Sequence, residues 1–158
     1  MSNTIQIRQA ILSDIENLKR LFQETVCFVN AKDYSADEIA DWASCGEDME
    51  HLSNLVNNLY FIVAEKKNEI IGMASISKDG YLHSMFVHKD FQRQGVATVL
   101  YEKIENHAQL NGVSRIWSEV SITAKGFFEK QGFFVEKEQK RKANKLYLTN
   151  FVMVKNLV

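Results

Sequence analysis

Not one proline occurs in the 158 residues, only seven are glycine, and no Pro/Gly/Ser-rich stretch breaks the chain. Flexible or polyproline linkers between domains are thereby excluded. Cysteine is nearly absent: Cys27 and Cys45 show no C-x-x-C spacing, which argues against a disulfide scaffold and fits reduced thiols in the cytoplasm. Neither sign of charge dominates, with 19 Lys and Arg against 20 Asp and Glu and a net charge of −1. No global basic field therefore draws the chain to nucleic acid or to an anionic membrane surface. No apolar run approaches the roughly 18 residues that span a bilayer, and no apolar signal segment precedes the first strand-like run. The four histidines and two cysteines lack metal-ligand spacing such as H-E-x-x-H. Neither G-x-x-x-x-G-K-[ST] nor G-x-G-x-x-G occurs, which disfavours P-loop nucleotide and dinucleotide binding. No metal, nucleic acid or membrane is expected as a partner.

What is present reads as a folded enzyme-sized unit. Hydrophobic residues make up 46% of the chain, enough for a sizeable core in a single domain over residues 1–158. Ile5-Gln6-Ile7-Arg8 alternates as a strand does. Ser13-Asp14-Ile15-Glu16 and Ser35-Ala36-Asp37-Glu38 are S-x-x-E capping boxes. The first opens a helix with Ile15, Leu18, Phe22 and Val26 at helical spacing, the second a shorter helix ending near Gly46. A third helix is expected over Met49 to Asn58. Strands are expected over Tyr60–Glu65, Glu69–Ser77 and, after the turn dipeptide Asp79-Gly80, Tyr81–Val87. A helix follows with Val96, Val99, Leu100, Ile104 and Ala108 on one face. After it come a strand over Arg115–Val120, a helix over Thr123–Gln131 and two strands over Phe133–Lys140 and Lys145–Lys155. The order predicts an α/β fold of the α+β type, with a mixed, largely antiparallel central sheet flanked by helices.

The most informative stretch is Gln92-Arg93-Gln94-Gly95-Val96-Ala97, between a strand and a helix. Gly95 lacks a Cβ, so a ligand can approach the main chain there. The unpaired N–H groups of the helix's first turn, Val96, Ala97 and Thr98, face such a ligand, and the helix dipole favours an anion. The pattern Q-x-x-G-x-A resembles the acyl-CoA pyrophosphate loop of the GNAT superfamily of N-acetyltransferases. Gly80 to His88 resembles the family's central strand, and Phe127-Phe128-Glu129-Lys130-Gln131-Gly132-Phe133 its late Y-E-K-x-G-F helix. Val29 to Ser35 further resembles a segment of an uncharacterised bacterial subgroup. The resemblance covers nearly the whole chain.

The resemblance implies acetyl-CoA as cosubstrate, no metal, and a small-molecule or peptide amine as acceptor, attacked directly in a ternary complex. It is compatible with a homodimer. It further implies that main-chain groups of Met85, Phe86 and Val87 pair with the pantetheine amides. Gln92, Arg93, Gln94, Gly95, Val96, Ala97 and Thr98 would hold the diphosphate, with the cations of Arg93 and Lys130 as phosphate partners. Two departures stand out. The family's tyrosine acid is replaced by Phe128, and the asparagine seven residues before it by Ser121, which with Phe128 would still border the cofactor. Lys89 stands where relatives commonly carry proline.

The chemistry sets what the site must supply. A lysine-like ammonium with pKa ≈ 10.4 costs about 4–5 kcal/mol to deprotonate at pH 7. A cysteine-like thiolate of pKa ≈ 8.5 lies only about 2 kcal/mol from its protonated form. Base assistance therefore outweighs acid assistance. His83 stands where many family members place a carboxylate base, and an imidazole is mostly neutral at pH 7. Tyr147 and Tyr81 are candidates for the missing acid. Phe28, Asn30, Tyr34 and Trp42 are candidates to line the acceptor pocket, although aromatics at helical spacing are more often core. His88 reads as a loop residue, His107 as a helix boundary, and His51 has no context. Lys137, Lys140, Arg141 and Lys142 read as a solvated hairpin. The absence of the tyrosine leaves a rival expectation: a coenzyme A-binding regulatory or sensory module that has lost catalysis.

Overall fold

The computed structural model describes residues 4–157, so the ends of the expected 1–158 domain lie outside it. The expected largely antiparallel α/β arrangement is present, with its strands in two groups. Strands β1 (Gln6–Gln9), β2 (Tyr60–Lys66), β3 (Glu69–Ile76) and β4 (Leu82–Val87) make an antiparallel sheet in that order. Strands β5 (Arg115–Ser121), β7 (Tyr147–Asn156) and β6 (Phe134–Lys142) make a second, with β7 central. The sheets touch at a single parallel bridge, Tyr81 to Trp117. There the Trp117 N–H donates to the Gly80 carbonyl at 3.0 Å and the Ser118 hydroxyl donates to the Leu82 carbonyl at 2.8 Å. Beyond that point β4 and β5 part. The sheet is thus splayed between β4 and β5, and their closest approach depends on Gly80. At φ +94° this residue takes a conformation that side chains resist, and an added Cβ would collide with the Arg115 carbonyl oxygen.

The helices pack where their apolar stripes dictate. Helix α4 (Val96–Leu110) buries Val96, Leu100, Ile104 and Ala108. It lies close on β3 because Gly72 has no Cβ: one built there would stand 2.9 Å from Leu100 Cδ1 and 3.0 Å from Val96 Cγ1. That contact fixes the start of α4 beside the end of β4. On the other side, α1 (Ile15–Phe28) and α3 (Met49–Asn58) cover Phe61, Val63 and Met73, with Ile15, Leu18 and Leu21 buried between. The capping box at Ser35 forms as expected: Glu38 N–H donates to Ser35 Oγ at 3.2 Å and Ser35 N–H to Glu38 Oε1 at 2.9 Å, opening α2 (Ala36–Ser44). The one expected at Ser13 does not. Asp14 precedes α1 instead, its buried carboxylate taken by the Ile11 N–H and by Arg8, which also binds Glu65. A charge partner on β1 outcompetes the local hydroxyl. Helix α5 (Lys125–Lys130) is shorter than expected at its start, where residues 121–124 form a turn closed by Ala124 N–H on Ser121 Oγ at 3.1 Å.

Candidate active site

The parting of β4 from β5 exposes main-chain groups. His88 N–H donates to the Ile71 carbonyl at 2.8 Å, so Gly72 and Val87 form a non-hydrogen-bonded pair in the β3–β4 ladder. By alternation, Ser84 and Phe86 turn their N–H and C=O to β3, whereas Met85 and Val87 turn theirs toward the gap. Val87's carbonyl is already occupied there by Gln92 Nε2 at 2.6 Å and Thr25 Oγ1 at 3.3 Å. Met85 thus offers both groups and Val87 its N–H, while the Phe86 main chain belongs to the sheet. Gln92 ties the loop to the strand and Gln94 Nε2 donates to the Asp90 carbonyl at 3.3 Å, so both glutamines brace the turn with their side chains.

At the end of that gap the chain turns into α4 through two left-handed residues, Arg93 (φ +59°) and Gly95 (φ +82°). No side chain caps the helix, so the N–H groups of Val96, Ala97 and Thr98 have no intrahelical partner. Nothing lies within 4 Å of a Cβ built on Gly95, so the space above these donors is open. An anion such as a diphosphate fits this arrangement of donors and dipole. Arg93 and Lys130 are both exposed and take no other partner among the described residues.

A cavity of about 400 Å³ adjoins the gap, reaching Ser84 and Phe86 on β4 and Glu119 and Ser121 on β5. One wall is aromatic: Phe22 packs edge-on against Phe86 at 5.2 Å and Trp42 edge-on against Tyr34 at 5.7 Å. The Tyr34 hydroxyl donates to the Thr149 carbonyl at 2.7 Å and accepts the Ile122 N–H at 2.9 Å, so it is a fastening and not a free group. The opposite wall is polar. Glu119 accepts from the Tyr81 hydroxyl at 3.0 Å, from Gln139 Nε2 at 2.6 Å and from Arg141 Nη1. Tyr81 packs edge-on against His83 at 5.4 Å, and His51 lies 6.2 Å beyond it, ring centre to ring centre. His83 is an extra residue on β4: the register slips between Ser75 and Ile76, which presents its ring to the cavity. His83 is exposed at the cavity, yet partial desolvation, then the nearby His51 and Arg141, hold its pKa below the ordinary histidine value, so it is neutral at pH 7. Burial raises the Tyr81 hydroxyl above its ordinary value despite Arg141, so it stays protonated.

Tyr34, Trp42, His83, Ser121 and the Phe86 side chain thus line one cavity. Other expected residues do not. Tyr147 is 60% exposed and off the cavity, because its neighbour Leu148 takes the inward position of β7. Phe28 is 67% exposed, with Lys89 Nζ 5.1 Å above its ring. Asn30 is buried and donates to Ser121 Oγ at 3.4 Å, serving the wall from behind. Phe128 is buried against Phe127 and Phe133, since a ring without a hydroxyl gains more in the core than at a polar groove. Sequence reasoning missed Glu119, His51 and Arg141. Glu119 carried no local signal, since it alternates with Ser118 and Val120, both buried, as any outward-facing strand residue does.

The acetyltransferase (GNAT) domain model matches residues 30–155. The chain belongs to the GNAT acetyltransferase family. Acetyl transfer from acetyl-CoA to an amine acceptor follows from that membership. The uncharacterised N-acetyltransferase YafP of Escherichia coli K12 is 28% identical over 151 residues, covering 96% of this chain and 95% of YafP. The same fold appears in a GCN5-related N-acetyltransferase of Rhodopseudomonas palustris, with TM-score 0.94, 24% identity and coverage of 98% and 96% of the two chains. It appears again in the PaiA N-acetyltransferase of Thermoplasma acidophilum, solved with coenzyme A, with TM-score 0.79, 21% identity and coverage of 97% and 99%. In this GNAT chain the gap between β4 and β5 and the uncapped start of α4 are the features that suit the cosubstrate.

Proposed function

We propose that this GNAT enzyme acetylates a small-molecule or peptide amine by direct attack within a ternary complex, with His83 as general base. One observation carries the reading: the cavity that holds the neutral His83 ring opens against the gap between β4 and β5, at whose far end lie the free donors of α4. The diphosphate would sit on the N–H groups from Gly95 to Thr98, with Arg93 and Lys130 as cationic partners. The pantetheine amides would pair with Met85 and the Val87 N–H. That arrangement carries the thioester toward Ser84 and Phe86, where an amine in the cavity reaches it. The amine loses a proton to His83 and attacks the thioester carbonyl. The leaving thiolate is weakly basic and needs little help, which accommodates Phe128 at the usual acid position. Trp42, Phe22 and Phe86 would hold the apolar part of the acceptor. Cys27 and Cys45 are both free, in keeping with a reducing cytoplasm.

The test is a panel of spermidine, tyramine, glycinamide and an alanyl peptide, incubated with acetyl-CoA and followed by release of free thiol. Thiol release that depends on one of these amines and is lost in His83→Asn supports the reading. Tight coenzyme A binding with no release over a widened amine panel overturns it in favour of a binding module without catalysis.

A further inference from the structure

We infer that the Ser84 hydroxyl donates a hydrogen bond to the thioester carbonyl oxygen and stabilises the charge that gathers there as the amine attacks. The inference rests on the reading of the site as one that brings the thioester toward Ser84 and Phe86, and it names a donor which that reading leaves out. Attack forms the N–C bond and moves the carbonyl π pair onto oxygen. When the carbonyl re-forms, the C–S bond breaks and its electron pair leaves on sulfur, while the amine's proton goes to His83. The hydroxyl gives up no proton in either step. It acts as a fixed dipole aimed at the oxygen where negative charge develops.

The direction of that dipole follows from counting protons. Ser84 on β4 stands opposite Ser75 on β3, and their Oγ atoms are 2.7 Å apart. Side chains alternate along a strand, so Ser84 shares its face with Phe86, and both line the cavity. Ser75 lies behind Ser84 and is 0% exposed. The two hydroxyls carry two protons, and the bond between them uses one. Among the described residues neither hydroxyl has another hydrogen-bond partner. Were Ser84 the donor, the Ser75 proton would be enclosed with nothing to accept it, which is costly for a buried polar group. Ser75 therefore donates to Ser84, and the Ser84 proton is left for the cavity. A cross-strand fastening needs only the first proton; the second is the one with no acceptor in the protein. The floor around it is apolar, since Met73 and Phe86 form the next pair on this face of the ladder. A hydrogen bond made there is little weakened by competing polar groups.

Ser84→Ala tests this with the panel amine that turns over fastest. We expect kcat to fall by about a hundredfold, the scale of a lost oxyanion donor, with the KM of acetyl-CoA nearly unchanged. A fall of less than threefold overturns the inference. Ser84→Ala also strands the Ser75 proton, so its melting temperature should drop. Ser75→Ala/Ser84→Ala removes both hydroxyls together and should melt nearer the parent while staying as slow as Ser84→Ala. A rate that recovers with the melting temperature would reduce the pair to a structural fastening, and so would an equal loss of kcat in Ser75→Ala alone. A further readout needs no acceptor: the infrared carbonyl band of acetyl-CoA labelled with carbon-13 at the thioester and bound to the protein. It should lie at higher frequency in Ser84→Ala than in the parent, and an unmoved band contradicts the hydrogen bond. If acetyl-CoA fails to bind at all, the cosubstrate reading falls with it. If His83→Asn keeps full activity while Ser84→Ala is slow and its band moves, the base reading falls and Ser84 stands.

Discussion

At the residue scale, the roles of the aromatic and imidazole groups separate by where their backbone places them. His83 owes its position to the register slip on β4 and its neutrality to partial desolvation beside His51 and Arg141. Because its pKa lies below the ordinary value, the neutral base persists to lower pH than a free histidine would allow. Corrected for the free-amine fraction of the acceptor, the acid limb of kcat/KM should therefore fall at a pH below about 6.5. His83→Asn should cost about a hundredfold or more in kcat, in the range of a lost general base. A limb at or above the ordinary histidine value would contradict this assignment. Tyr147→Phe removes a hydroxyl from an exposed position off the cavity. Its kcat should stay within about twofold of the parent, since surface changes of this kind are nearly neutral.

At the scale of elements, two glycines and one carboxylate hold the site's geometry. Gly95→Ala meets no steric obstacle, so its cost is that of the left-handed conformation alone, about 1–2 kcal/mol of stability, together with weaker coenzyme A binding. Gly80→Ala adds a collision with the Arg115 backbone at the point where β4 meets β5, so it should cost more than Gly95→Ala in denaturant unfolding. Equal costs would argue against Gly80 as the junction. Asp41 on α2 accepts the N–H groups of Asn144, Lys145 and Leu146 at 2.9–3.0 Å, and Ser44 Oγ accepts from Asn144 Nδ2 at 3.0 Å. These bonds hold the β6–β7 turn over the cavity, next to Trp42 and Arg141. Asp41→Ala should raise the KM of the amine several-fold and leave that of acetyl-CoA unchanged; a matched rise in both would deny the turn its place on the acceptor side.

At the scale of the whole molecule, what the sequence conveyed and what it hid divide along sequence separation. Helices with their own signals were legible: α3 spans Met49–Asn58 and α4 Val96–Leu110, and Ser35 caps α2 through a four-residue motif. The loop at Gln92–Gly95 was legible for the same reason, since strand, turn and helix start are contiguous. The polar wall was not, because Tyr81 just before β4, Glu119 on β5 and Arg141 on β6 are far apart in sequence and meet only where the sheets touch at Tyr81 and Trp117. Arg141 looked like part of a solvated basic hairpin because nothing local marks its partner. The close backbone approach at Gly80 likewise leaves no mark in any periodicity.

The two sheets diverge from one bridge, so a cosubstrate lying between them should join them. A ligand that binds only the folded protein stabilises it by about 2.7 kcal/mol at a hundred times its Kd. The most direct measurement is an amide NMR titration with coenzyme A, read together with the melting temperature. The account predicts a raised melting temperature and perturbed amides at Gly95, Val96, Ala97 and Thr98 and at Met85 and Val87. An unmoved melting temperature with those amides undisturbed at saturating coenzyme A would contradict it.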